Sequence, residues 1–94
     1  MEKDDYSKLF IKAIIKADIA LVTEIEIQTL TIEDAYLYAE LSYQIDDRIE
    51  RMDNDVKKAI EKELGKDYGV SIDRLDAFPN GYASYNVTID KELE

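Results

Sequence analysis

Thr23-Glu24-Ile25-Glu26-Ile27-Gln28-Thr29 decides whether the first third of this chain is one continuous helix or a helix followed by a strand. Apolar and polar residues alternate strictly, and four of the seven are β-branched. A period of two places alternate side chains on opposite faces of a strand. The alternation predicts a strand over residues 19–30. Leu21, Thr23, Ile25 and Ile27 would share one face, and Val22, Glu24, Glu26 and Gln28 the other. If residues 19–30 instead continued the preceding helix, the chain would have little β structure before its last third.

That preceding helix spans residues 4–17, where Tyr6, Leu9, Phe10, Ala13, Ile14 and Ala17 recur at helical spacing. Asp4 and Asp5 suit its positive N-terminal end. Lys8, Lys12 and Lys16 form a polar stripe along it.

Downstream, Thr31-Ile32-Glu33-Asp34 has the form of a helix start, a threonine followed by acids in the first turn. The expected second helix runs to about Met52, with Tyr38, Leu41, Ile45, Ile49 and Met52 as its apolar stripe. Asp53-Asn54-Asp55 would open a third helix through Val56, Ile60 and Leu64, stopping at Gly65. Ile45, Ile49, Met52 and Val56 also fit a heptad, so the second and third helices could be one long helix that pairs across a two-fold axis. The chain should end in a β-hairpin, about residues 70–90. Val70 to Ala77 and Tyr82 to Asp90 flank Phe78-Pro79-Asn80-Gly81, whose Pro and Asn-Gly favour a turn. The expected fold is a single α+β domain in the order α-β-α-α-β-β. A three-stranded antiparallel sheet would carry helices on one face.

Ninety-four residues suffice for one domain. With 46% hydrophobic residues the chain can build a core despite its charge. It has no cysteine and no histidine. Disulfides, thiolate metal sites, histidine zinc sites and histidine acid–base catalysis are excluded together. No catalytic motif appears, and a non-catalytic role is expected, with no cofactor. Asp53 cannot open an EF-hand, because the sixth position of that loop needs glycine and Lys58 occupies it. The start of the chain has the wrong charge for a signal peptide, and no apolar run reaches membrane-spanning length. A cytoplasmic protein, in the host cytoplasm if virus-encoded, is therefore expected, and Asn86-Val87-Thr88 reads as a chance glycosylation pattern.

Net charge is −10, and residues 17–47 carry eight acids and no base. Such a chain should be repelled by nucleic acid and anionic membrane and drawn to a protein with a basic surface. On the expected second helix, Glu33, Tyr36, Glu40, Tyr43, Asp47 and Glu50 follow at spacings of three and four. They would form one face of stiff aromatic contact area and fixed negative charge. The same pattern also suits a solvated helix face. The functional expectation is an acidic protein-binding module, in its most concrete form a small inhibitor of the kind viruses and mobile elements encode. It would block a basic, nucleic-acid-handling site on a partner. The alternative is a homo-oligomeric accessory protein assembling through Ile45, Ile49, Met52 and Val56.

Overall fold

A computed structural model describes residues 2–18, 20, 22–46, 48, 52–75 and 81–93. Its elements are α1 (Lys3–Ala17), β1 (Val22–Glu33), β2 (Tyr36–Asp46), α2 (Asp53–Leu64), β3 (Gly69–Arg74) and β4 (Tyr82–Glu92). The class is α+β. The order, however, is α-β-β-α-β-β, and the sheet has four antiparallel strands in the order β1-β2-β4-β3.

The correction lies at residues 31–46. Thr31 to Glu33 ends a strand and does not cap a helix. Residues 36–46 form the central strand of the sheet, paired on both sides. In Tyr36-Leu37-Tyr38-Ala39-Glu40-Leu41-Ser42-Tyr43-Gln44-Ile45-Asp46, every odd position is apolar and buried. That period of two is what a strand with one buried face requires. A helix here would bury only part of the odd set, while the strand buries all of it against both helices. Among the described residues, the strand at Tyr36–Asp46 takes the place of the long second helix that the heptad reading needs.

Asp34 and Ala35 make the two-residue connection between β1 and β2, with φ of 50° and 59°. Left-handed backbone at both positions defines the type I′ hairpin turn, whose twist matches the strands. Alanine costs about 1–2 kcal/mol there, because its Cβ crowds the following carbonyl. Ala35→Gly should therefore raise the unfolding free energy by about 0.5–1 kcal/mol, after glycine's extra unfolded-state entropy is deducted. A shifted urea midpoint at unchanged slope would register it, and an unchanged or lower midpoint would refute the strain.

β1 pairs with β2 through two register shifts, one between Thr23 and Glu26 and one between Ile27 and Thr29. Each gives β1 one residue more than its partner strand. Glu24, at φ 55°, lies in the first. The bulges explain the spacing of Val22, Ile25, Ile27, Leu30 and Ile32, which runs three, two, three, two. Each extra residue is absorbed by a bulge, so all five pack against the core. Val22 faces Ile45, Ile27 faces Leu41, Leu30 faces Ala39 and Ile32 faces Leu37. The first bulge also corrects the expected facing: Thr23 pairs with Gln44 on the opposite side from Ile25, and Val22 takes the apolar side. Leu21 lies outside the described residues.

Both helices cover the same sheet face. Tyr6, Phe10 and Ile14 of α1 and Val56 and Ile60 of α2 meet the odd-numbered residues of β2 and Ala83, Tyr85, Val87 and Ile89 of β4. Asp5 accepts a hydrogen bond from the Glu2 backbone N–H at the start of α1. α2 begins one residue beyond Met52 and ends at Gly65, whose φ of 103° suits a residue without Cβ. β3 and β4 form the expected terminal hairpin, from Gly69 opposite Asp90 to Arg74 opposite Tyr85. The expected turn residues Phe78 to Asn80 lie outside the described residues.

Candidate functional site

With two helices on one face, the other face of the sheet is open. The strand registers determine what lies on it. β2 contributes Tyr36, Tyr38, Glu40, Ser42, Gln44 and Asp46. Opposite them β4 contributes Glu92, Asp90, Thr88, Asn86, Ser84 and Tyr82. β3 adds Gly69, Ser71 and Asp73, and β1 adds Thr23, Glu26, Thr29, Thr31 and Glu33. These positions include seven carboxylates and neither lysine nor arginine. The helical layer differs: α1 and α2 together hold seven lysines and six acids. The negative charge of the chain is thus concentrated on the helix-free side.

The polar groups on this face are already organised. Tyr38 donates to Glu40 at 2.5 Å, and Gln28 donates to Ser42 at 2.8 Å and to Glu26 at 3.2 Å. Its hydrogen bond to Glu40 holds the Tyr38 phenol above its ordinary pKa, with partial desolvation adding to the effect. Partial desolvation, then a hydrogen bond to Asp90 and the charges of Asp90 and Glu92, raises the Tyr36 phenol likewise. Both tyrosines therefore stay neutral donors well past physiological pH, and the carboxylates supply the charge. At the far end Arg48 follows β2 and pairs with Asp46 through two hydrogen bonds of 2.8 and 2.9 Å. Those bonds, with the Arg48 backbone N–H, hold the Asp46 carboxyl below its usual range.

The six residues expected on a helical face are separated by the strand. Glu33, Tyr36 and Glu40 lie on the open face, with Tyr36 41% exposed. Tyr43 is 1% exposed and belongs to the core. Asp47 and Glu50 lie outside the described residues. The correction follows from periodicity: a step of three or four keeps a helix face but exchanges strand faces whenever the step is odd. The oligomer residues are divided as well. Ile45 and Val56 are buried within the domain, Met52 is 68% exposed at the start of α2, and Ile49 lies outside the described residues.

Tyr43 has a different task. Its ring meets that of Tyr85, directly opposite on β4, edge to face at 5.5 Å. Its hydroxyl donates to Asp18 at 3.0 Å, and Asp18 also accepts the Ala20 backbone N–H at 3.0 Å. Tyr85 donates in the same way to Asp53, and Arg74 lies 3.9 Å from that carboxylate. The end of α1 and the start of α2 are thereby tied to one tyrosine pair in the sheet. Beyond the end of α2, Tyr68 meets Phe10 in the middle of α1, edge to face.

No family model, curated protein or solved structure matches this chain. The open face was missed in the sequence because it depends on the position of β2. Once residues 36–46 are a strand, its members are the even residues of β2 and their partners. Asp73 joined no sequence pattern, and Asp90 and Glu92 read there only as a charged tail; strand pairing brings all three to the face that holds Glu40 and Tyr36. Among the described residues no group of carboxylates is arranged to hold a metal ion, and no helix is long and apolar enough to cross a membrane.

Proposed function

We propose that this chain is a non-catalytic, acidic protein-binding module whose open sheet face occludes a basic, nucleic-acid-handling surface on a partner protein. The observation that carries the reading is charge segregation. Seven carboxylates and four tyrosine, serine or threonine-rich strands share a face with no lysine or arginine at its strand positions, while the helix layer is nearly neutral. A solvated sheet face ordinarily mixes both signs, because like charges facing each other across strands destabilise it. Each carboxylate faces a Tyr, Ser, Thr, Asn or Gly on the neighbouring strand, so the acids are spaced out among polar partners, and the rigid array needs little ordering on binding. Tyrosines among them add contact area with a hydrogen-bonding tip. Arginine- and lysine-lined grooves that bind phosphates would be complementary to such an array, and direct binding to nucleic acid would not. A small inhibitor made by a virus or mobile element, acting in the cytoplasm of its host, fits this reading.

The test is capture from extract at low and high salt, followed by competition. A captured protein should be basic, should be released as salt is raised, and should lose its nucleic acid when the chain is added. Recovery of the chain alone, or a partner that keeps its nucleic acid undisturbed, would remove the proposal.

A further inference from the structure

At one end of the open face the sheet meets the helix layer in a groove of about 1000 Å³. Its lining includes Tyr6 from α1, Tyr36 from β2, Asp67 from the α2–β3 connection, and Asp90, Lys91 and Glu92 from β4. Three carboxylates thus stand against one ammonium. That ammonium is engaged, since Lys91 Nζ lies 4.7 Å from the centre of the Tyr68 ring in a cation–π contact. With Lys91 turned to Tyr68 beside the groove, the lining keeps a net negative charge.

Asp90 is held in position. Its carboxylate packs directly over Gly69, where a Cβ would collide with Oδ1. Gly69 lies directly opposite Asp90 in the β3–β4 pairing. Its missing side chain makes the space in which the carboxylate lies. Tyr36, the most exposed tyrosine, stands at the next pair along the same face, opposite Glu92.

We propose that this groove receives an arginine side chain of the basic partner, together with the short stretch of chain that carries it. The planar guanidinium would stack on Tyr36 and bond to the Asp90 and Glu92 carboxylates. Arginine suits this lining better than lysine, because its fork of donors can serve two carboxylates while its flat face lies on a ring. The groove volume exceeds what one side chain fills, so flanking residues of the partner enter with it. The inference rests on the reading of the open face as a surface for a basic protein, and gives that surface its specific anchor.

The probe is acetyl-Gly-Arg-Gly-Arg-Gly-amide, titrated into the isotopically labelled protein and followed by amide chemical shifts. Peptides with Gln or Lys in place of both Arg residues serve as controls. Saturable shifts of Asp67, Tyr68, Lys91 and Glu92 with the arginine peptide, at least about threefold weaker with lysine and absent with glutamine, are expected. Gly69→Ala keeps every charge but displaces the Asp90 carboxylate. It should weaken binding about three- to tenfold at an unchanged melting temperature, as should Asp90→Asn. Shifts confined to Ser42, Gln44 and Asn86 would overturn the groove while leaving the open-face reading intact. Equal affinity for the lysine peptide, or full binding by Gly69→Ala, would also overturn it. A complete lack of shifts would remove the groove, and the open-face reading would then depend on the capture experiment alone.

Discussion

Tyr43→Ala should destabilise the domain by about 3–5 kcal/mol, the usual cost of emptying a buried aromatic site. Tyr36→Ala, seven residues earlier on the same strand, should change stability by no more than about 0.5 kcal/mol. A small domain commonly has only about 5–10 kcal/mol in total, so Tyr43→Ala should lie close to unfolding at room temperature. Tyr43→Phe divides the effect. It keeps the ring against Tyr85 but removes the hydroxyl donated to buried Asp18, at a cost of about 1–3 kcal/mol. Urea unfolding of the three variants measures all of this. If Tyr43→Ala unfolds at the wild-type midpoint, residue 43 is on a surface, and the central position of β2 is wrong.

The contrast between Tyr36 and Tyr43 also shows what was legible in the sequence. α1, β1, α2 and the β3–β4 hairpin could be read from local periodicity and punctuation, because Gly65, Gly81 and the acidic helix starts are strong signals. β2 was hidden by ambiguity. Leu37, Ala39, Leu41, Tyr43 and Ile45 alternate strictly, yet Leu41 and Ile45 also stand four apart, and Leu, Ala and Glu all favour helices. The β1–β2 turn lacked glycine. Asp34-Ala35 adopts left-handed backbone without the usual Asn-Gly, so nothing announced a hairpin, and Thr31 followed by acids resembled a cap. What decided the outcome is non-local: β2 forms ladders with both β1 and β4, and its odd residues are buried only when the helices lie over them. The acidic character of the site could be read from composition. Its membership could not, because Asp73, Asp90 and Glu92 reach the site only through strand pairing.

The sharper functional expectation concerns where the charge lies, not how much there is. Glu26→Lys, Glu40→Lys and Asp73→Lys together take the chain from −10 to −4. Lys8→Glu, Lys12→Glu and Lys16→Glu together take it to −16. If total charge governed association, the first variant would bind a basic partner less tightly and the second more tightly, by comparable factors. The segregated structure predicts an asymmetric result. Reversal on the open face should weaken the complex at least about a hundredfold, since like charges brought together at an interface cost several kcal/mol. Reversal on α1, on the opposite side of a four-stranded sheet, should change affinity by less than about threefold at physiological salt, where screening limits influence to about 8 Å. The sheet reversals replace exposed residues and give up only the surface hydrogen bonds from Tyr38 to Glu40 and from Gln28 to Glu26, so the variant should stay folded, within about 1–2 kcal/mol of wild type. Calorimetric titration against the captured partner, with melting curves as the control for folding, reads both arms. Equal losses in the two variants, or a loss only on α1, would mean that the open face is solvated and that contact is made through the helices.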